Sequence, residues 1–411
     1  MTPSSLPIRP IVDDEWSALG RLLDLAFHET HRPDEWEQFR AVAELDRTLC
    51  AFDGDRIVSS SGAYTMELTV PGAIVPAAGV TIVTVHPAYR RRGLLNAMMD
   101  RQLADLRDHG EAVAMLWASE ARIYGRYGYA VACEQAAVDV ARTEAGLVPD
   151  APDTGRLDLE LADPTEARDE LAAVYDRMRP TRPGYVSRDD GQWFDALFDP
   201  EQRRGGSTPL QALLVRDGGT ATGYALYRVK PEWDPAGPNG QLELRELQAT
   251  DAAAYVACWR FLSGLDLTAR VSARKMPVDA PLLYLLADHR RARVQRTDAL
   301  WVRLVRVGEA LAQRRYAAPV DLVLDVADGR CPWNAGRWRL AGDETGATCE
   351  PTGEAADVRV DTTVLASAYL GDGALAAYAV AGRASESTPG ALRRLAAAMS
   401  WDPKPWCVHS F

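Results

Sequence analysis

The stretch VTIVTVHPAYRRRGLL, Val80 to Leu95, changes character halfway through, and that change decides the fold. Val80 to Val85 read as a strand, and Pro87 stops the ladder. Leu94, Leu95, Met98, Met99, Leu103 and Leu106 then recur at helical spacing, so the pattern predicts a strand running straight into a helix N-terminus. The first amides of a helix have no carbonyl partners and sit at the positive end of its dipole, which suits them to grip a diphosphate. Gly93 removes the side chain that would hold a phosphate off the backbone, and Arg90, Arg91 and Arg92 add cationic charge beside it.

Upstream, Trp16, Leu19, Leu22, Leu23 and Phe27 mark one face of a helix that Asp13 or Asp14 is placed to cap, and a charged stretch continues through Trp36 and Phe39. Thr48 to Phe52, the turn Asp53-Gly54-Asp55, and Ile57 to Val70 predict a hairpin, and Pro71-Gly72 turns the chain again. Downstream, the motif helix ends at Gly110, and Ala112 to Trp117 is the next strand. Glu120 to Tyr124 suggests a short helix before a closing strand from Ala130 to Val140.

The Pro- and Gly-rich run from Glu144 to Gly155 reads as a linker. Beyond it, a helix at Asp169 to Met178, a hairpin through Asp217-Gly218-Gly219, the strand Leu242 to Leu247 and a helix near Tyr255 repeat the order of the first part. The equivalent turn, Gln248 to Ala252, has neither arginine nor glycine, and its Asp251 would repel a diphosphate. From Leu300 onward, strands at Leu300 to Val307, Pro319 to Val326 and Val358 to Val360, with helices near Leu365 and Pro389 to Met399, form a third, α+β segment.

Arg90-Arg91-Arg92-Gly93-Leu94-Leu95 resembles the acyl-CoA pyrophosphate loop of the GCN5-related N-acetyltransferases (GNAT), departing at Leu95, where a small residue is usual. Together with ASEARIYGRYGY, a degenerate second half, a sterol-carrier-like third segment and an aromatic-Cys-x-x-x-Phe end, it resembles the Eis (enhanced intracellular survival) family of actinobacterial aminoglycoside acetyltransferases. The resemblance spans essentially the whole chain. It implies an α/β plus α+β architecture: a GNAT domain over 1–148, a degenerate GNAT-like domain over 157–296 and a sterol-carrier-protein-like domain over 298–411.

The resemblance also implies roles for individual residues. Val83 and Val85 would bind the pantetheine arm through their backbones, with Arg90, Arg91, Gly93 and Leu94 at the phosphates of acetyl-CoA. Tyr124 would be the general acid, with Tyr127 and Tyr129 as rivals for that role, and the Phe411 carboxylate the general base. Phe27, Glu29, Trp36 and Ile82 would line the acceptor side, with Asp34, Glu35, Thr81 and Trp117 as further candidates. The same charges equally suit a solvated helix face, and the apolar residues an ordinary core.

The implied reaction is direct acetyl transfer to an amine of an aminoglycoside or polyamine-like acceptor, a form of antibiotic resistance, by a homo-oligomer, a hexamer in this family. The competing readings are a protein-lysine or biogenic-polyamine acetyltransferase, and a non-catalytic ligand-binding protein using the sterol-carrier-like part.

The net charge of −12 argues against nucleic acid as a partner. Six dispersed cysteines, no CxxC pair and no His ligand spacing argue against a metal. No apolar run approaches the ~18 residues of a membrane span, and the N-terminus lacks the charged-then-apolar pattern of a leader. A cytoplasmic protein with no membrane partner is expected.

Overall fold

The computed structural model describes residues 6–373 and 375–411. They divide into two compact units. The first joins Met1–Cys133 to Ala299–Asp402 and Ser410–Phe411, and the second joins Glu134–Asp298 to Pro403–His409.

In the first unit a seven-stranded sheet runs in the order β1 (Ile8–Pro10), β2 (Leu49–Asp53), β3 (Arg56–Val70), β4 (Ala73–Val85), β5 (Val113–Trp117), then Leu300–Leu304 from far along the chain, and β6 (Ala130–Val131). Only the β4–β5 pair is parallel; the other neighbours are antiparallel. Helices that accompany the sheet include α1 (Trp16–Phe27), α2 (Pro33–Val42), α3 (Leu94–Asp108) and α4 (Ala121–Tyr124). Leu19, Leu22 and Leu23 of α1 pack on Cys50, Phe52 and Ile57. Met99, Leu103 and Leu106 of α3 pack on Ala78, Val80, Ala114 and Leu116. Each such leucine, removed from water, contributes roughly 1.5–3 kcal/mol. Neither Asp13 nor Asp14 caps α1. Asp13–Glu15 form a short 3₁₀ turn instead, and Glu15 is drawn to Arg9 at 2.6 Å and to the Val12 amide at 3.0 Å.

Two expected boundaries fall elsewhere. The closing strand anticipated at Ala130 to Val140 is broken in two, and its second piece, Glu134–Ala141, pairs with Thr268–Met276 and Gln295–Asp298 in the second unit's sheet. The chain therefore changes unit at Cys133, before the Pro- and Gly-rich run. Leu300–Leu304, expected to open a third domain, instead completes the first sheet beside β5. Neither pairing leaves a local signal, because any alternating apolar strand can join any open edge.

Leu300–Leu304 also steadies the segment after α4. Gly128 has φ +82°, and the Arg303 guanidinium lies where its Cβ would stand. Arg303 in turn pairs with Asp328 at 2.6 Å, with both side chains buried. Gly128→Ala should therefore destabilise the protein by roughly 2–4 kcal/mol, adding left-handed strain to overpacking; denaturant unfolding measures it, and a neutral result would exclude this lock.

The second unit holds another seven-stranded sheet, in which Gly240–Ala249 runs parallel to Thr268–Met276 and leads to the helix Ala252–Gly264. The remaining segment of the first unit forms a five-stranded sheet around Val320–Ala327. Leu322, Leu324, Leu340, Val360, Leu365 and Leu395 of this segment are buried. Among the described residues no helix is long and apolar enough to cross a membrane.

Candidate active site

β4 and β5 pair only from Ala77–Val113 to Gly79–Met115. Past Gly79, the edge of β4 facing β5 carries backbone donors and acceptors that enter no ladder with it, so an extended ligand can add there as a strand. β4 is also not the uniform strand its sequence suggests. Ser60 pairs with Thr84 and Gly62 with Thr81, so Ile82 and Val83 together face Ser61 alone. At this bulge Ile82 takes φ +46°, a strained conformation for a β-branched residue. Two serines hold it: Ser60 Oγ donates to the Ile82 carbonyl at 2.7 Å and Ser59 Oγ to the Thr84 carbonyl at 2.7 Å. The bulge re-aims the side chains on either side of it. Thr81 and Ile82 line one cavity, and Val83, Thr84 and Val85 line another.

The larger cavity, about 850 Å³, is bordered by Val83, Val85, Arg90, Arg91, Gly93, Leu94 and Tyr124, along with Phe27. Gly93, at φ +82°, precedes α3 and provides no side-chain cap. The first helical bond runs from the Ala97 amide to the Gly93 carbonyl at 3.1 Å, so the amides of Leu94, Leu95 and Asn96 lie ahead of the ladder at the positive helix end. Arg90, Arg91 and Arg92 are all exposed beside them. This arrangement fits a diphosphate. Gly93→Val, which forces a branched side chain into a left-handed conformation at that spot, should weaken acetyl-CoA binding by roughly tenfold or more. Calorimetry reads the loss, and unaltered affinity would place the phosphates elsewhere.

The three tyrosines separate clearly. Tyr124 borders the large cavity at 5 % exposure. Burial pushes its hydroxyl up to about 12, partly offset by a hydrogen bond with Ser119, so it stays protonated at neutral pH. Tyr127 also borders the cavity, but its hydroxyl is committed to Asn96 Oδ1 at 2.7 Å. Tyr129 is fully buried in the core behind them.

A second cavity, of about 170 Å³, is bordered by Phe27, Glu29, Trp36 and Ile82, and also by Trp16, His31, Phe39 and Tyr64. Phe27 is common to both linings. Asp34, Glu35 and Trp117 are outside them. Glu35 is buried and accepts the Arg32 amide at 2.7 Å, as the cap of α2. His31 escaped the sequence reading because it lies in a polar run where nothing marks an inward side chain; Tyr64 is an ordinary strand residue.

Phe411 is in neither lining. Its half-buried ring rests against Gly79, 3.2 Å from where a Cβ would stand, and meets Tyr64 edge-on at 6.5 Å. It thus lies where β4 and β5 part, beside a residue that borders the smaller cavity.

In the second unit the corresponding helix start is capped by Asp251, whose carboxylate accepts the Ala254 amide at 2.9 Å. That bond occupies the place a phosphate would take. In the same unit Arg188 and Glu246 form a buried pair at 3.0 Å, and Trp406 and Val408 share a core with Tyr175, Tyr185 and Tyr224.

Acetyltransferase (GNAT) domain models match residues 7–132 and 184–307, and a sterol carrier protein domain model matches 307–408. An uncharacterized N-acetyltransferase of Streptomyces avermitilis is 44 % identical over 98 % of this chain and 99 % of its own. The N-acetyltransferase Eis of Mycobacterium tuberculosis (strain ATCC 25177 / H37Ra) is 37 % identical over 95 % of this chain and 96 % of its own. The crystal structure of Eis1 from Mycobacterium abscessus superposes with a TM-score of 0.84 at 32 % identity, covering 98 % of this chain and all of that one. A GCN5-related N-acetyltransferase from Anabaena variabilis, 20 % identical, shares the fold with a TM-score of 0.86 over 99 % of this chain and all of its own. With two GNAT-type units, a sterol-carrier-like segment and this degree of likeness along its whole length, the chain belongs to the Eis family of GCN5-related N-acetyltransferases.

Proposed function

We propose that this protein transfers the acetyl group of acetyl-CoA directly to a primary amine of a small molecule, with the first unit doing the chemistry. One observation carries the reading: one bulged strand, β4, lines both the cavity at the diphosphate-type helix start and the smaller aromatic cavity, and Tyr124 borders the first of them.

In this reading the α3 amides and Arg90 to Arg92 hold the phosphates, and the unpaired edge at Val83 and Val85 holds the pantetheine arm. The acceptor nitrogen attacks the thioester carbon, the C–N bond forms and the C–S bond breaks. Tyr124 gives its proton to the departing thiolate, and a base takes the proton the amine loses. Positioning two reactants on one strand supplies much of the rate. The Phe411 carboxylate is the proposed base. Its ordinary pKa, about 3.5, lies far below that of an alkylammonium, so it acts on the small neutral fraction of amine or through water.

The family resemblance adds an aminoglycoside or polyamine-like acceptor, a homo-hexamer and a cytoplasmic location to this proposal. The test is thiol release from acetyl-CoA by the purified full chain across aminoglycosides, polyamines, simple amines and lysine peptides, with light scattering for the assembly. Failure to bind acetyl-CoA by calorimetry would overturn the enzyme reading in favour of a ligand-binding protein.

A further inference from the structure

The sterol-carrier-like segment belongs to the same unit as the large cavity, and one of its turns is fastened to α3. The strand Val320–Ala327 ends at Asp328, whose carboxylate takes four donors. Its Oδ1 accepts the amides of Arg330 and Cys331, each at 3.0 Å, and its Oδ2 accepts Arg303 at 2.6 Å and the Asn334 side-chain amide at 2.9 Å. A carboxylate so fully engaged fixes the turn that carries Arg330. Cys331 and Trp333, just beyond, pack in one core with Met99 and Leu103 of α3.

From this base Arg330 reaches the start of α3. Its Nη2 donates to Asn96 Oδ1 at 3.2 Å, its Nη1 meets Asp100 at 3.4 Å, and its guanidinium lies over the Tyr127 ring, 5.1 Å from the centroid. Asn96 Oδ1 therefore takes two donors, Arg330 and the Tyr127 hydroxyl. Arginine has donors only, so the Asn96 amide must turn its oxygen toward it. The amide's NH2 group is the side that remains, and it donates to none of the described residues. Asn96 is exposed and borders the large cavity together with Gly93 and Leu94.

We propose that the Asn96 amide is a further donor to the diphosphate of acetyl-CoA, and that Arg330 is a positioning residue that acts on the donor through Asn96. This deepens the acetyltransferase reading and rests on it. Asn96 is the third residue of α3, so its side chain leaves the same first turn whose backbone amides lack carbonyl partners. A hydrogen bond from an amide to a charged phosphate oxygen is among the stronger kinds. Its orientation is set beforehand by Arg330 and Tyr127, so little freedom is lost when the ligand arrives. The sterol-carrier-like segment thereby takes part in donor binding, a role that needs no lipid.

The test is calorimetry of acetyl-CoA on the full chain across a double-mutant cycle, with melting temperatures measured alongside. Asn96→Ala should weaken acetyl-CoA binding about tenfold. Arg330→Met keeps the length of the side chain and loses its donors. It should weaken binding about fivefold in the otherwise unaltered chain, but under about twofold in the Asn96→Ala background. Losses that simply add would mean that Arg330 acts by its charge on the anionic donor, and that result overturns the inference. So does unaltered affinity in Asn96→Ala, whatever its melting temperature. Both results leave the acetyltransferase reading standing, whereas an unaltered chain that fails to bind acetyl-CoA overturns the two together.

Discussion

Tyr124→Phe should lower kcat by roughly 10²–10⁴-fold, the range a positioned proton donor supplies, with acetyl-CoA affinity unchanged. The hydroxyl is the one difference between the two side chains, and the ring that packs near Tyr129, centroids 6.1 Å apart, is retained. Stability should therefore change little. The pH profile adds a second readout. Burial disfavours the phenolate and moves Tyr124 to about 12, so the donor remains protonated throughout the range in which an acceptor ammonium loses its proton. Activity should rise with pH as the free amine accumulates, with no alkaline fall from Tyr124 below about 11. Normal turnover in the Phe variant would transfer the role to water, or to Tyr127 after it leaves Asn96. Tyr129, sealed in the core, is the weakest rival.

The second large effect is expected at the other end of the chain. Adding a few residues after Phe411 converts its carboxylate into an amide and moves the negative charge away from the parting of β4 and β5. If that carboxylate is the base, kcat/KM should fall by roughly 10²-fold or more, with the melting temperature and acetyl-CoA affinity preserved. Phe411→Leu in the unextended chain separates charge from shape. It keeps the carboxylate and gives up the ring contacts with Gly79 and Tyr64, so it should lose much less activity than the extension. An extended chain with full activity would remove the terminal carboxylate from the mechanism. A substitution as damaging as the extension would assign the effect to packing of the ring.

How far the sequence could be read depended on whether a feature was local. The β2–β3 hairpin, the strand leading to α3 and the short helix ending at Tyr124 were all legible, since turn residues and hydrophobic spacing act within a few positions. The junction of strand, Gly93 and helix start was legible too, because its parts are contiguous. In the second half Asp251 was visible at the equivalent turn, and the structure adds how that acid is used, as a cap on the helix. The bulge was not legible, because which residue turns left-handed depends on register with β3. His31 and Tyr64 were invisible, because their place in a cavity wall is set by elements distant in sequence.

Sequence by itself determined the family and the strand–glycine–helix motif of the first half, since both rest on motifs written along the chain. Tertiary structure alone decided the rest. It sent Leu300–Leu304 back to the first sheet and Glu134–Ala141 into the second. It committed the Tyr127 hydroxyl to Asn96 and left Tyr124 at the cavity. It also gathered Trp16, Phe27, His31 and Trp36 from two helices and the loop between them into one cavity wall. Strand pairing and cavity lining are non-local contacts. They depend on which edges and faces remain open after the whole chain has packed, a property that no window of neighbouring residues contains.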